Sequence, residues 1–494
     1  MIFLQEQSKL MATGFIHNGG IRMKVDEAKL RPPKATELLC ENLVNTKYED
    51  LSEDNVRIFK DRLLDMTGCI FGGAIVPEDQ FFVQKLIDWG GKEEAPLFAR
   101  TEKLPLPSAA MVNCVTARAN DYGSMFFHIK GDFIASHCGE TLIPMGLTLA
   151  ATQPTSGKQF IANNIAAEDL TARILYTLPS RWPTDMLMVS SAAAALASRY
   201  YKLDEAQTKT ALSYAALNST DPANSYYDYC QDFKYHNGAG AQAGIMACEI
   251  AKGGWRGLTD PYYGHWGLIS MQLAQNDGTE LPDLYDAAFD DVGKVYYTEA
   301  SFKRGPGGIP TTSASNCGKE VRKQIEEYYG KLDPENIKQL HVYKSTTVPD
   351  HYYANPFVLR NHTNALFSYQ FAACCALLNG NVSVAYVQTP AILADPYLIP
   401  LTENSTMENF KAENDEKLLK LVVEMKDGKV FESVQNYSAS MHAYPDKDFL
   451  IGKFWDQFNA FGKLPKATGE KILELAYRIE ELDDMREYTD LLVL

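Results

Sequence analysis

Through most of the first 290 residues, apolar side chains recur at three- and four-residue steps, which places them on one face of a helix. In the segment 51–73, "LSEDNVRIFKDRLLDMTGCIFGG", these apolar positions are Val56, Phe59, Leu63 and Met66. Ser52 precedes them as a candidate N-cap, and Gly72–Gly73 end the pattern. The segment 186–203, "MLMVSSAAAALASRYYKL", is rich in small residues and predicts a helix packed closely against others.

After about residue 290, alternating apolar and polar positions predict strands. The segment 339–348, "QLHVYKSTTV", is typical of one strand. The segment 417–437, "KLLKLVVEMKDGKVFESVQNY", predicts a hairpin with its turn at Asp427–Gly428. Between them, "ALFSYQFAACCALLNG" at 365–380 predicts a buried helix. Helical spacing returns after Pro445, with an apolar stripe formed by Ile472, Leu475, Ile479 and Leu482.

The order of these patterns predicts a mainly α fold, with a large all-helical domain and an inserted smaller α+β domain. We expect an N-terminal lead-in at 1–33, the helical domain at 34–289, the insert at 290–444 and a C-terminal return to helix at 445–494. A chain of 494 residues is long enough for such a division, because single cores usually stop growing near about 250–300 residues.

Charge and cysteine usage restrict the possible partners and the compartment. The net charge of −16 argues against nucleic acid or an anionic membrane as a partner. No apolar run approaches the roughly 18–20 residues of a membrane span, and the N-terminus does not resemble a signal peptide. Nine scattered cysteines without a CxxC pair favour reduced thiols in a cytoplasmic protein. The histidines show no HxH or HExxH spacing, so we expect no metal site.

The segment 234–254, "KYHNGAGAQAGIMACEIAKGG", contains glycines spaced like a dinucleotide-binding loop. Such a loop needs a buried apolar strand before it, but "YYDYCQDFKYH" is polar and aromatic. We therefore interpret the small residues as a tightly packed helix surface. The N-terminal end of that helix favours an anion, and Lys234 and His236 would reinforce this preference.

From about residue 34 to the C-terminus, seven segments resemble the MmgE/PrpD family in their order along the chain. They read "YEDLSEDNVRIFKDRLLDMTGCIFGGA", "ANDYGS … SHCGETLIP", "RWPTDMLMVSSAAAALA", "FKYHNGAGAQAG", "SFKRGPGGIP", "FSYQFAACCALLNGNVSV" and "VVEMKDGKVFE". The resemblance implies a helical domain with an α+β lid domain, usually in a homodimer. It also implies chemistry beside carboxylates without an organic cofactor.

The resemblance further implies a set of site residues. The catalytic candidates are His137, Asp121, Lys234 and Lys303. His137 would act as the principal acid or base, Asp121 would orient it, and the two lysines would bind carboxylates or stabilise negative charge. The substrate-binding candidates are His128, His236, Arg304, Tyr122 and Trp182. The structural alternatives are a satisfied histidine in a helix junction, an aspartate N-cap and surface lysines.

The chain also departs from the family pattern. Gly123 and Ser124 stand where the family has acids, and Met125 stands where a threonine is common. Trp182 occupies a position where many members have a histidine, and Phe371 a position where some have a functional tyrosine. These departures suggest a divergent subgroup, or a protein that has lost part of the chemistry.

Together these observations predict a cofactor-independent lyase that acts on a small di- or tricarboxylate. The leading hypothesis is a hydro-lyase similar to 2-methylcitrate dehydratase, which takes a proton from the carbon next to a carboxylate. An isomerase, epimerase or decarboxylase would use related chemistry and remains an alternative. A non-catalytic carboxylate-binding protein on the same fold is the alternative from another class.

Overall fold

The computed structural model describes residues 35–179, 185–219, 228–273, 282–348, 358–436 and 444–494. Within these ranges the chain is mainly helical, with small sheets. None of the described helices combines the length and apolar character needed to cross a membrane.

Among the described residues, eleven helices lie before residue 290. They are α1 (Ala35–Asn45), α2 (Glu53–Gly73), α3 (Gln80–Trp89), α4 (Leu106–Arg118), α5 (Gly139–Thr152), α6 (Gly157–Tyr176), α7 (Val189–Tyr200), α8 (Glu205–Ala216), α9 (Asp232–Lys252), α10 (Leu268–Gln272) and α11 (Tyr285–Phe289). The later helices are α12 (Thr311–Tyr329), α13 (His362–Leu366), α14 (Tyr369–Asn379), α15 (Thr389–Ala394), α16 (Leu398–Glu403), α17 (Lys447–Phe461), α18 (Lys466–Tyr477) and α19 (Arg486–Thr489).

Within the described ranges, nine strands form three small sheets. The strands are β1 (Ala95–Pro96), β2 (Lys103–Leu104), β3 (Met125–Ile129), β4 (Asp132–Ile134), β5 (Glu299–Ser301), β6 (Ile337–Ser345), β7 (Thr406–Phe410), β8 (Leu418–Met425) and β9 (Val430–Asn436). β1 pairs with β2, the second sheet has the order β4-β3-β5, and the third has the order β7-β6-β8-β9. The pairing of β6 with β7 is parallel, and the other pairings are antiparallel.

Local sequence signals predicted several of these elements. α2 begins after Ser52, whose hydroxyl oxygen accepts a hydrogen bond from the Asn55 amide, as expected of an N-cap. The predicted hairpin is formed by β8 and β9 on either side of Asp427–Gly428. In this hairpin Gly428 has a φ of 89°, a conformation that glycine adopts without strain.

Other expectations needed correction. The segment 34–289 is not all helix, because residues 95–134 contain four short strands. β5 pairs with β3, so residues 299–301 join the sheet of the preceding segment. The predicted single helix at 365–380 is two helices, α13 and α14, because the Ser368 hydroxyl caps a new helix at Tyr369.

The apolar side chains form two main hydrophobic clusters. The larger contains residues of α1, α2 and α4 to α9 and of the C-terminal helices α17 and α18. The C-terminal segment therefore packs against the first helices of the chain. The smaller cluster lies between the β6–β9 sheet and helices α12 and α14, and it also contains Phe233 of α9.

The glycines of α9 serve helix packing, as the sequence predicted. A Cβ atom at Gly238 would lie 2.6 Å from the Met111 carbonyl oxygen of α4. A Cβ atom at Gly244 would lie 2.5 Å from the Cβ atom of Ala193 in α7. The helix also starts earlier than expected, at Asp232, so Lys234 and His236 belong to its first two turns.

Candidate active site

Asp121 lies in a sharp turn between α4 and β3. Its φ of 46° is in the left-handed region, which aspartate adopts more readily than most residues. This turn directs the carboxylate towards Arg118 in the last turn of α4, and the two form an ion pair. Both side chains are almost completely buried. A buried carboxylate of this kind needs a charged partner, and Arg118 supplies it.

His137 lies just before α5, and Glu140 lies in the first turn of that helix. The Nδ1 atom of His137 is 2.9 Å from the Oε2 atom of Glu140. The same carboxylate contacts Arg118 at 2.8 Å. Asn237 of α9 fixes the backbone here, since its Nδ2 donates to the His137 carbonyl oxygen at 3.2 Å. The spacing of three residues therefore forms an imidazole–carboxylate pair.

Lys303 completes this cluster from the segment after β5. Its Nζ donates to the backbone oxygen of Asp121 at 2.9 Å and also contacts the Asp121 carboxylate. Asp121, His137 and Lys303 are each no more than 2% exposed. The structure therefore brings together three of the four catalytic candidates, although 182 residues separate Asp121 from Lys303.

The charges of the cluster determine its protonation states. Burial lowers the pKa of His137, and the positive charges of Arg118 and Lys303 lower it further, so that it lies well below the ordinary value. Burial alone would raise the pKa of Asp121, but Arg118 and Lys303 outweigh this effect and hold it below the ordinary value. At neutral pH the cluster therefore contains a neutral imidazole and an ionised Asp121.

Lys453 of α17 fixes the backbone of the cluster. Its Nζ is 2.6 Å from the Oδ1 atom of Asp65 in α2, which gives it a buried ion pair. It also donates to the carbonyl oxygen of Tyr122 at 2.6 Å and to that of Lys303 at 3.3 Å. One ammonium group thus joins α2, α17, the turn at Asp121 and the segment of Lys303.

Replacement of Lys453 by methionine should destabilise the fold by about 3–5 kcal/mol, because Asp65 would remain buried without its partner. Urea unfolding monitored by circular dichroism measures this change. Adding Asp65→Leu to this variant should recover part of the lost stability. Lys447→Met, an exposed change on the same helix, should cost less than about 1 kcal/mol. A Lys453 variant as stable as the original chain would show that the Lys453–Asp65 ion pair does not stabilise the fold.

Lys234 lies in the first turn of α9, beside the cluster and not within it. Its Nζ forms a buried ion pair with Asp79 at 2.5 Å. Asn237 lies three residues further on and contacts His137, so one helix end carries both side chains. Burial raises the pKa of Asp79, and the charge of Lys234 opposes this shift. Lys234 is thus a buried cation within one helical turn of the His137 contact.

The departures at positions 123 and 124 have a structural explanation. The Gly123 amide donates to the Oε1 atom of Glu140 at 3.0 Å. A Cβ atom at Gly123 would lie 2.6 Å from the Cγ atom of Glu140, so a side chain would collide with that residue. Ser124 contacts Arg62 at 3.1 Å and Glu299 at 3.0 Å. Carboxylates from other segments therefore contact these two positions, and the site retains local negative charge.

The other departures are apolar, or lie outside the described residues. Met125 begins β3 and packs with Phe126, Ala135 and Ile309. Phe371 is fully buried in the smaller hydrophobic cluster, which gives it a packing role. Trp182 lies outside the described residues.

Two further candidates have contacts on nearby elements. His128 lies on β3, where its Nε2 atom is 2.9 Å from the Ser301 hydroxyl of β5. His128 is half-buried, and this contact gives it a structural role in the sheet. His236 is half-buried in α9, and burial followed by the charge of Arg118 lowers its pKa. The charge of Arg118 therefore influences His236, and a substrate contact by His236 remains a prediction.

Tyr122 and Arg304 lie at or next to the two backbone oxygens that accept hydrogen bonds from Lys453, those of Tyr122 and Lys303. The Arg304 guanidinium lies 4.5 Å from the ring centre of Phe449. The Tyr122 ring lies 3.9 Å from the Nζ atom of Lys453 and is buried. Burial raises the pKa of Tyr122 well above its ordinary value, so its hydroxyl stays protonated. These contacts are structural, and a substrate contact by either residue remains a prediction.

Asp121, His137 and Glu140 are close enough to resemble a metal site, since one ligand atom of each lies within 4.8 Å of the others. However, Arg118 contacts both carboxylates, and Lys303 contacts that of Asp121. A divalent cation here would lie beside two buried positive charges, which repel it. The residues fit an ion-pair network better than a metal site.

Sequence reasoning missed three residues of this site: Arg118, Glu140 and Lys453. Arg118 and Glu140 each lie three residues from a predicted site residue and on helix ends, so helical spacing contained a signal for both. Lys453 had no such signal, because its contact with Tyr122 spans 331 residues.

Comparisons with known proteins relate this chain to one family. Residues 37–280 match the model of the MmgE/PrpD N-terminal domain. Human cis-aconitate decarboxylase is 23% identical over 478 residues, which cover 92% of this chain and 94% of the human protein. The mouse cis-aconitate decarboxylase is 23% identical over 479 residues, with 92% and 93% of the two chains covered. With this match and these relatives along most of its length, the chain is a member of the MmgE/PrpD family.

Proposed function

We propose that this protein is a lyase that acts on a small di- or tricarboxylate, and that dehydration is its reaction. The observation that carries the proposal is the buried neutral imidazole of His137, set between the Glu140 carboxylate and the cations Arg118 and Lys303. A neutral imidazole accepts a proton, and nearby cations stabilise the negative charge that develops on the substrate.

In the proposed reaction, the negative charge of the Glu140 carboxylate, 2.9 Å from Nδ1, favours the proton of neutral His137 on that nitrogen. Nε2 then takes the proton from the carbon next to a substrate carboxylate. The electron pair of that C–H bond forms a C=C bond as the C–O bond of the hydroxyl group breaks. The departing hydroxide takes the proton from the His137 imidazolium, so water leaves and the enzyme returns to its starting charge.

Lys234 is the proposed ligand of a substrate carboxylate. Lys234 is buried, and burial also raises the pKa of its partner Asp79. A substrate carboxylate that replaced Asp79 beside Lys234 would keep the lysine paired.

The α+β part at 290–444 is proposed as a lid, because Lys303 comes from it while His137 comes from the helical part. A homodimer is also part of the proposal.

Decarboxylation is the second candidate, because two relatives over most of the chain are named cis-aconitate decarboxylase. In that reaction a C–C bond breaks, CO₂ leaves and the electron pair stays on carbon. That carbon then takes a proton from His137, which must first have bound one from solvent. The same cations would stabilise the negative charge, but the lowered pKa of His137 disfavours its protonated form, so the site favours proton abstraction.

A panel of di- and tricarboxylates, with and without a hydroxyl group, tests the proposal. We expect the purified protein to convert a hydroxy acid into an unsaturated acid, detected by far-ultraviolet absorbance and by NMR of the product. CO₂ release instead would favour decarboxylation. Thermal stabilisation by a carboxylate without any turnover or hydrogen exchange would contradict the proposal and support a binding protein.

A further inference from the structure

His362 is a fully buried histidine that the site described above does not include. It is the first residue of α13, and its backbone amide donates to the Thr389 hydroxyl at 3.0 Å. Its Nε2 atom is 2.8 Å from the Oδ1 atom of Asn120, the neighbour of Asp121 in sequence. The histidine is therefore attached directly to the turn that carries the catalytic aspartate candidate.

The hydrogen-bond network determines which nitrogen of His362 carries the proton. Gln388 donates its Nε2 to the Val384 carbonyl at 2.8 Å, which identifies that atom as the amide nitrogen. The same Nε2 donates to Asn120 at 3.2 Å, so Asn120 presents its oxygen there. His362 must then donate from Nε2 to this oxygen. In the neutral ring, Nδ1 is consequently an acceptor.

Among the described residues, Nδ1 of His362 has no hydrogen-bond partner, and the side chain is fully buried. Burial, followed by the positive charge of Lys234, keeps the pKa of His362 well below its ordinary value, so the ring is neutral. A buried acceptor without a donor is costly, and a donor on a ligand would remove that cost.

Two consecutive acids connect His362 to Lys234. Asp79 forms the ion pair with Lys234, and Glu78 contacts the Thr389 hydroxyl. The His362 amide is bonded to that same hydroxyl and lies 3.5 Å from Glu78. His362 therefore lies on the side of the site where Lys234 is the proposed ligand of a substrate carboxylate.

We propose that Nδ1 of His362 accepts a hydrogen bond from the hydroxyl group of the substrate, and so selects hydroxylated di- or tricarboxylates. An ionised carboxylate offers acceptors only, so a hydroxyl group is the donor that such a substrate can present. A site built to pair with a hydroxyl discriminates strongly against the analogue that lacks it. This inference rests on the proposed function for its class of substrate.

The test is a comparison of dissociation constants by calorimetry for matched pairs: malate with succinate, citrate with tricarballylate, and 2-hydroxyglutarate with glutarate. We expect the original chain to bind the hydroxy member of at least one pair about tenfold or more tightly. In His362→Phe, which keeps a ring of similar size, that preference should fall to about twofold or less while the deoxy analogue binds as before.

His341→Phe is the matched control, because His341 lies on β6 and its Nδ1 atom is 2.8 Å from the Thr406 hydroxyl. It should leave the hydroxyl preference unchanged. The comparison in the original chain requires no variant, so poor folding of His362→Phe does not remove the test. An original chain without preference in any pair would overturn the inference, as would a preference that survives His362→Phe.

The binding comparison also separates this inference from the proposed function. A hydroxyl preference that depends on His362 in a protein without turnover would leave the inference standing and refute the lyase. Turnover of a substrate without any hydroxyl preference in binding would support the enzyme and refute the role of His362.

Discussion

Replacement of His137 by asparagine should lower kcat by about 10²–10⁴-fold and change KM by only a few-fold. Asparagine cannot accept the proton, but it is polar and of similar size at this buried position. Steady-state kinetics on the substrate found in the carboxylate panel measures both constants. The selective loss of kcat is the result expected for a group that acts in the chemical step.

The control is His341→Asn, which makes the same change on β6, away from the His137 cluster. This control should keep kcat within about twofold of the original chain. Circular dichroism should show the same fold in both variants. A His137→Asn enzyme with nearly full kcat would assign the base to another residue.

Replacement of Lys303 by methionine should move the acidic limb of the kcat/KM profile to higher pH. Activity requires neutral His137, so it is lost as pH falls through the pKa of this residue. In the original chain burial and the charges of Arg118 and Lys303 hold that pKa well below 6.5, so activity should persist below that pH. Removal of the Lys303 charge raises the pKa, and the loss should therefore begin at higher pH.

The same variant should lower kcat by about 10²-fold or more, because in the proposed reaction Lys303 is one of the two cations that stabilise the developing negative charge. Lys344→Met is the matched control, since Lys344 lies on β6, is also buried and donates to the Val348 carbonyl at 2.8 Å. It should leave the pH profile unchanged. An acidic limb that stays in place in Lys303→Met would contradict the electrostatic account of His137.

The elements that sequence predicted well are those with local determinants. Ser52 with its helix and the Asp427–Gly428 hairpin depend on residues within a few positions, so a pattern contains the necessary information. The pairing of β3 with β5 has no such local determinant, because Met125 and Ser301 are far apart in sequence and meet only through the packing of the whole chain. The split between α13 and α14 was missed because an apolar run conceals a serine cap at Ser368.

The candidate site was predicted in part for the same reason. Family resemblance nominated Asp121, His137 and Lys303, and the structure places them in one buried cluster. The resemblance could not indicate that Glu140 would contact the amide of Gly123, because that contact depends on the geometry of the turn. The sequence could not indicate the role of Lys453, because a buried lysine has no sequence pattern of its own and its partners lie in three distant segments.

We infer that His137 takes a proton from the carbon next to a substrate carboxylate. Incubation of the substrate in D₂O, followed by proton NMR, detects this step. We expect the original chain to exchange this hydrogen with solvent, or to lose it as the unsaturated product forms, and His137→Asn to do neither at a comparable rate. Loss of this hydrogen at an undiminished rate in His137→Asn would show that another group takes the proton.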